Sequence, residues 1–153
     1  MTTTLLIQTE SSPLTVSLPA VAPMTRDEFY ACCVANRDLL IEQTATGEVV
    51  IMPPAFSDTG NRNFNLAAYL WVWTEQNGTG LGFDSSSGFT LANGATRSPD
   101  AAWINAERWD ALTEEEKASF APICPDFVIE LRSASDTLTG LQAKMQDYME
   151  NGV

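Results

Sequence analysis

The sequence reads RSPDAAWI at residues 97–104 and PDFVIELR at residues 125–132, and these two stretches decide the fold. Each is an apolar run of strand length, which predicts two strands of a partly buried sheet. Each also contains a carboxylate, Asp100 at the head of the first run and Glu130 inside the second. A glutamate within a buried strand is costly unless it is paired or binds a metal. Asp100 and Glu130 are therefore candidates for a metal-binding pair on adjacent strands.

The side chain next to Glu130 on its strand face leaves two interpretations open. Strand alternation puts Glu130 and Arg132 on one face, opposite Ile129 and Leu131, so we expect them to point into the same space. The structural interpretation is an ion pair of Glu130 with Arg132 or with a lysine at the end of the sheet. In the catalytic interpretation the carboxylates hold Mg²⁺ or Mn²⁺, which polarises a phosphoryl oxygen.

Working outward from these strands, mixed helix and strand patterns predict an α/β domain. Before them we predict a helix from a Thr25–Glu28 capping box to about residue 36, strands at 39–42 and 48–52, and a helix over 57–76. Beyond these are predicted strands at 81–85 and 88–91, a short helix at a Thr113–Glu116 capping box, and a final helix over 137–151. Residues 1–23 are rich in Thr, Ser and Pro and are predicted to form an extended N-terminal arm, followed by one domain over residues 24–153.

Apolar stripes on the two long helices predict which of their faces are buried. The helix over 57–76 carries two stripes, which predict burial around much of its circumference: Phe64, Ala67 and Trp71, and Leu66, Leu70 and Trp73. The final helix carries one core stripe: Leu138, Leu141, Met145, Tyr148 and Met149. Lys144 falls at the border of that stripe, from which its long side chain would reach the end of the sheet. The alternative is that Lys144 is a solvated helix lysine.

Composition excludes several kinds of site. The chain has 153 residues, of which 44% are hydrophobic and 18% charged, as in one globular domain. It has no histidine, which excludes Ser-His-Asp triads, Cys-His nucleophiles and most zinc sites. Its three cysteines do not form a disulfide framework. Without a signal peptide or a long apolar segment, the chain is expected to be cytoplasmic.

A longer set of motifs resembles the Uma2-like restriction endonuclease family of the PD-(D/E)XK nuclease superfamily. The motifs are RSPDAAWI at 97–104, Arg108-Trp109, CPDFVIELRSASD at 124–136, LQAKM at 141–145, Glu42 with EVVIMPP at 48–54, and TGNRN at 59–63. The resemblance spans roughly residues 24–153. It implies a restriction-endonuclease-like mixed sheet flanked by helices, with an acidic metal site.

The resemblance also implies roles for individual residues. Asp100 and Glu130 would be ligands of Mg²⁺ or Mn²⁺, and Glu42 would be either a third ligand or an acid at the end of a strand. The superfamily's lysine normally stands two residues after the glutamate, where this chain has Arg132. Arginine does not act as a base because of its high pKa, although it can clamp a phosphate. Lys144 is therefore the candidate catalytic lysine.

Three functions remain open from the sequence. The first is a Mg²⁺-dependent DNA endonuclease, expected as a homodimer because two sites related by a two-fold axis can cut both strands. The second is a non-catalytic nuclease fold used for binding or assembly, and the third is a hydrolase of smaller phosphodiesters. A net charge of −12 argues against non-specific nucleic-acid binding. Four of the basic residues in the motifs nevertheless predict a locally basic cleft: Arg62, Arg97, Arg132 and Lys144.

The end of the sequence carries a further expectation. The superfamily core continues with at least one more strand after the helix that follows the glutamate strand, whereas this chain ends at Val153. We therefore expect a C-terminally truncated domain that lacks its last strands and leaves a sheet edge open. The N-terminal arm or a second chain would be able to cover that edge.

Overall fold

The computed structural model describes residues 14–16, 23–133 and 136–153, and these contain eight strands and five helices. In chain order they are β1 (Leu14–Val16), α1 (Arg26–Ala35), β2 (Leu40–Gln43), β3 (Val49–Met52), α2 (Ser57–Asn77), β4 (Gly80–Asp84), β5 (Phe89–Thr90), β6 (Thr96–Arg97), β7 (Ala101–Asn105), α3 (Ala106–Asp110), α4 (Glu114–Lys117), β8 (Phe127–Ile129) and α5 (Leu138–Glu150). The predicted α/β class is confirmed, and the architecture is consistent with a restriction-endonuclease-like fold. The predicted N-terminal arm falls mainly on residues 1–13 and 17–22, which lie outside the described residues.

The strands form two sheets whose paired strands run antiparallel. One has the order β1-β3-β2-β6-β5 and the other the order β4-β7-β8. The predicted hairpin between β2 and β3 is confirmed, with Gln43 paired to Val49. Strand β6 was not predicted, because a strand of two residues is too short to show any alternation. It pairs with β2 through Thr96 and so brings Arg97 beside the strand that carries Glu42.

The register of the second sheet sets the two predicted acids opposite each other. Ala101 of β7 pairs with Ile129 of β8 in an antiparallel ladder. One step beyond that pair, Asp100 precedes β7 and Glu130 follows β8, so the two residues lie across from one another at the same end of the sheet. Glu130 therefore lies just after its strand. The sequence had suggested a position inside the strand.

The two predicted capping boxes and the predicted end of α2 are confirmed. Thr25 and Thr113 form complete capping boxes with Glu28 and Glu116, in which each Thr side chain accepts from the backbone N–H three residues later. At the end of α2, Gly78 adopts the left-handed conformation, with φ of 63°, which glycine enters without steric cost.

Gly80 permits the close approach of β4 and β7. A Cβ atom at this position would collide with the Ile104 carbonyl oxygen and with the indole ring of Trp103. The lack of a side chain therefore lets Gly80 pair with Asn105 in the ladder that supports the second sheet.

Buried apolar side chains form three clusters, two of which pack against Val128 of β8. The clusters consist of Phe89, Ala102, Ile104, Ala121 and Ile123; of Leu91, Ala95, Cys124 and Tyr148; and of Phe29, Ile41 and Val49. The core thus surrounds the strands that precede or follow the predicted acids and holds their ends in place.

Helix α2 is buried along one face only, so the prediction of two buried stripes is wrong. Leu70 is buried, whereas Phe64 and Trp71 are 72% and 62% exposed. The helix packs against β4 and β7 on a single side. An amphipathic pattern shows which residues are apolar, but contact with one sheet covers only part of a helix surface.

Helix α5 is rotated relative to its apolar stripe, so that prediction is wrong for most of the stripe. Tyr148 is buried, but Met145 and Met149 are 48% and 63% exposed. Lys144 and Tyr148 lie one turn apart and both bond to Glu130, which orients the helix toward the acids.

Among the described residues no helix has the length and apolar character needed to cross a membrane.

Candidate active site

Four carboxylates and two cations meet where the ends of β2, β6, β7 and β8 approach α5. The six residues are Glu42, Arg97, Asp100, Glu130, Lys144 and Asp147. Apart from Asp100, which is half-buried, their side chains are at most 15% exposed. Four of the six were predicted site residues, and the fold brings those four together from three separate strand ends and a helix. Arg97 was predicted only as part of a basic cleft, and Asp147 was not predicted.

Lys144 bridges two of the acids. Its Nζ lies 2.8 Å from Glu42 Oε1 and 2.8 Å from Glu130 Oε1. A third contact, to the carbonyl oxygen of Ser98, is long at 3.5 Å. Burial tends to lower the pKa of Lys144, but the carboxylates of Glu42 and Glu130 outweigh it and the pKa is raised. Lys144 is therefore a charged ammonium ion-paired within the cluster, and the alternative of a solvated helix lysine is wrong.

Glu42 uses its two carboxylate oxygens for protein contacts. Oε1 accepts from the backbone N–H of Ser98 at 2.8 Å and from Lys144, and Oε2 lies 3.2 Å from Arg97 Nη1. The side chain is only 3% exposed. The sequence left Glu42 open as a third metal ligand or a strand-end acid, and the structure places it between two cations.

Arg97 connects Glu42 of β2 to Asp147 of α5. Its Nε and Nη2 atoms each lie 2.9 Å from Asp147 Oδ2. Burial opposes the charge, but Glu42 and Asp147 together raise the pKa of Arg97 above its ordinary value. Arg97 and Lys144 are thus ion-paired with buried acids of the same chain. They do not form the exposed basic cleft that the sequence suggested.

Asp100 is fixed at each of its oxygens. Oδ1 accepts from Asn63 Nδ2 at 2.7 Å, and Oδ2 accepts from the backbone N–H of Leu131 at 2.7 Å. Because Leu131 follows Glu130, the Asp100 carboxylate lies against the peptide group next to the second acid. Asn63 was not singled out from the sequence, although the TGNRN motif at residues 59–63 contained the signal.

Glu130 is the most perturbed acid of the cluster. Its Oε1 accepts from Lys144 and, at 3.0 Å, from the hydroxyl of Tyr148. Burial raises the pKa of Glu130 to about 7, with Lys144 opposing and the nearby carboxylates of Glu42 and Asp100 adding to the rise. Burial and the charge of Glu130 also raise the pKa of Tyr148, which therefore stays a neutral donor. The sequence had assigned Tyr148 to the core only.

Arg132 is not brought to the cluster. It is exposed, and its guanidinium has no hydrogen bond or ion pair with another residue that the structure describes. Strand β8 ends at Ile129, so the alternation that would have placed Arg132 beside Glu130 does not continue. The ion pair of Glu130 is with Lys144. A phosphate-clamping role for Arg132 stays a prediction.

Carboxylate oxygens such as those of Asp100 and Glu130 are the type of ligand that a hard divalent cation prefers. Over residues 14–16, 23–133 and 136–153 there is no group of three His, Cys, Asp or Glu side chains placed to hold a metal. Mg²⁺ commonly takes only one or two carboxylates and keeps several waters. When Glu130 is ionised, the four carboxylates exceed the two cations by two negative charges, which one divalent cation would neutralise.

Comparison with known proteins identifies a family. A sequence model of a family described as Uma2, putative restriction endonuclease, matches residues 26–153. The matched segment contains all six residues of the cluster. A search of curated proteins finds no match to the chain.

Proposed function

The chain belongs to the Uma2 family, and we propose that it is a Mg²⁺- or Mn²⁺-dependent endonuclease that hydrolyses phosphodiester bonds of DNA. The observation that carries this proposal is the placement of Asp100 and Glu130 one step beyond the Ala101–Ile129 pair at the end of an antiparallel ladder, with the ammonium of Lys144 2.8 Å from Glu130. Two acids and a lysine in this arrangement suit metal-assisted phosphodiester hydrolysis.

In the proposed mechanism, Asp100 and Glu130 would hold the cation. The bound metal would polarise the phosphoryl oxygen and lower the pKa of a water. Asn63 and the N–H of Leu131 keep the Asp100 carboxylate in one orientation, so little ordering is needed when the metal binds. Lys144 and Tyr148 do the same for Glu130.

Lys144 contributes a hydrogen-bond donor. An ammonium group has three donors, and Glu42 and Glu130 use two of them at 2.8 Å. The third reaches only the Ser98 carbonyl at 3.5 Å, beyond good hydrogen-bond length. A phosphate oxygen or the attacking water would accept from this third donor, which stabilises the charge that develops in the transition state.

In this mechanism Glu42 positions the ammonium group of Lys144. Its carboxylate already accepts from Lys144, from Ser98 and from Arg97, so it holds the ammonium at the correct end of the sheet. The alternative from the sequence, a third metal ligand, makes a different prediction for the Glu42→Gln variant. A positioning role leaves one metal bound with reduced cleavage, whereas a ligand role weakens metal binding itself.

DNA recognition by this chain is expected to be weak and strongly dependent on salt. The net charge is −12, and the two basic residues of the cluster are neutralised by acids. Arg62 is exposed but lies 3.8 Å from Asp58. We propose that a homodimer supplies the second cut and a larger contact surface, and that the protein meets DNA in the cytoplasm.

Metal titration tests the proposal directly. Calorimetry with Mg²⁺ and Mn²⁺ would compare the wild type with Asp100→Asn and Glu130→Gln, and Asp110→Asn serves as a control because Asp110 is an exposed acid outside the cluster. We expect one site in the wild type and the control, and none in either cluster variant. Plasmid nicking at low salt then follows the same order.

Two outcomes would refute the proposal. If the wild type binds neither metal, the metal-dependent mechanism fails and the domain is a nuclease fold used for binding or assembly. If Asp100→Asn binds Mn²⁺ like the wild type, the metal lies elsewhere. Cleavage of short dinucleotide phosphodiesters without nicking of plasmid would move the substrate from DNA to a smaller phosphodiester.

A further inference from the structure

Asn63 has one half of its side-chain amide bonded and the other half unpaired. Its Nδ2 donates to Asp100 Oδ1 at 2.7 Å, while its Oδ1 is buried and finds no hydrogen-bond partner among the described residues. Buried polar atoms in proteins are nearly always paired, so an unpaired acceptor at this place needs an explanation. Reversing the amide would not help, because it would set Oδ1 against the Asp100 carboxylate.

Two other buried side-chain atoms of the described residues are also unpaired, but their side chains are not hydrogen-bonded to Asp100 or Glu130. They are Gln43 Oε1 and Trp103 Nε1. The amide of Gln43 bonds to the Met24 carbonyl, and the ring of Trp103 packs edge-on against Trp73. Among the unpaired atoms of the described residues, Asn63 Oδ1 alone belongs to a side chain that is hydrogen-bonded to Asp100 or Glu130.

We infer that Asn63 is a positioning residue of the metal centre, whose Nδ2 orients Asp100 and whose free Oδ1 accepts a hydrogen bond from a water on the bound cation. This inference rests on the proposed function. Mg²⁺ held by two carboxylates keeps several waters, and those waters are strong donors that need acceptors around them. A carbonyl oxygen that is buried and unpaired without the cation is such an acceptor.

The position of Asn63 on α2 suits this role. It lies in the second turn of a helix that packs on β4 and β7, so its backbone is held by the same sheet that carries Asp100. Partners of this kind orient the groups that bind the metal, and losing one typically weakens metal affinity or activity by about 10- to 100-fold.

The test compares Asn63→Ala with Asn65→Ala. Asn65 lies on the same helix and only bonds to Asn61 at the surface, which makes it a matched control. Mn²⁺ affinity is measured by calorimetry, and melting temperature is measured with Mn²⁺ and with a chelator. We expect affinity to fall by about 10- to 100-fold in Asn63→Ala and to stay at the wild-type value in Asn65→Ala.

The melting temperatures separate a role at the metal from a purely structural one. Without metal, Asn63→Ala removes one hydrogen bond and one unpaired acceptor together, so the melting temperature should change little. With Mn²⁺ it should fall well below that of the wild type. Equal losses with metal and with chelator would show that Asn63 only supports the fold and would overturn the inference.

The remaining outcomes also decide between the two proposals. Wild-type Mn²⁺ affinity in a folded Asn63→Ala variant overturns the inference and leaves the proposed function standing. Absence of metal binding in the wild type removes the proposed function, and the inference with it. If Asn63→Ala does not fold, Asn63→Ser, which retains a polar side chain too short to span the same contacts, is measured in the same way.

Discussion

Replacing Arg97 by methionine tests how much the buried charge network stabilises the protein. Arg97 is 11% exposed and connects Glu42, at 3%, to Asp147, at 14%. Methionine keeps an apolar side chain in place but leaves Asp147 without its cation and Glu42 with Lys144 alone. Removing one member of a buried ion pair typically destabilises by about 3–5 kcal/mol, because the remaining charge stays buried and unpaired. That loss is a large part of an ordinary domain stability of about 5–15 kcal/mol.

Arg62→Met is the matched control on the same chain. Arg62 lies 3.8 Å from Asp58, with the two side chains 53% and 85% exposed. Exposed pairs of this kind are worth about 0–1 kcal/mol, since water already solvates both charges. Urea denaturation at neutral pH gives the free energy of unfolding for the wild type and both variants, and the slopes show whether unfolding stays comparable.

The refuting result is a similar loss for the two variants. If Arg97→Met costs no more than Arg62→Met, the Arg97 network is not a buried, rigid cluster in solution, and the argument that it holds Glu42 and Lys144 fails. A large loss for Arg97→Met alone, which added salt does not reproduce in the wild type, supports the buried network.

Three further predictions test other parts of the fold. Hydrogen bonds from Thr113 lower the pKa of Glu116, so the stabilisation by Glu116 is present above the ordinary pKa of 4.5 and is lost as pH falls through the depressed folded-state value. Glu116→Ala should therefore lower the melting temperature at neutral pH more than Glu115→Ala does. The difference between the two variants should disappear in acid. Gly80→Ala should destabilise the protein by about 1–3 kcal/mol, because the added Cβ atom would collide with the backbone of β7. Gly60→Ala lies on an open helix surface and should stabilise the protein by about 1 kcal/mol. Equal urea midpoints for the two variants would contradict this prediction. Burial raises the pKa of the Cys33 thiol to about 11, so little reactive thiolate is present at mildly alkaline pH. Maleimide should therefore label Cys33 slowly in the native protein and rapidly in urea. Rapid labelling of Cys33 in the native protein would contradict its burial.

Local signals in the sequence were sufficient to place most of the helices. The two capping boxes lie at Thr25 and Thr113, and the glycine that ends α2 is Gly78, as expected. These features work because each involves residues only a few positions apart, whose backbone hydrogen bonds do not depend on the rest of the chain. Strand β6 and helix α3 were missed because neither has a length or a repeat that stands out.

The burial of helix faces was less predictable. The apolar residues of α2 and α5 were identified, but Phe64, Trp71 and Met149 are exposed. An apolar side chain can lie at a surface at modest cost, whereas an unpaired buried charge is very costly. Ion pairs to Lys144 therefore had more influence on the orientation of α5 than its methionines did.

What the sequence determined by itself is the set of chemical groups and the segments that carry them. It identified Asp100 and Glu130 as acids in apolar surroundings and Lys144 as the lysine within reach. The lack of histidine limited the catalytic groups to carboxylates, lysine, arginine, hydroxyls and a hard metal ion. The tertiary structure decided the pairing. It set Glu42 between Lys144 and Arg97, left Arg132 in solvent, and joined Asn63 to Asp100 from a helix 37 positions earlier in the chain. Such contacts depend on strand register and helix rotation, which are fixed by packing across the whole domain.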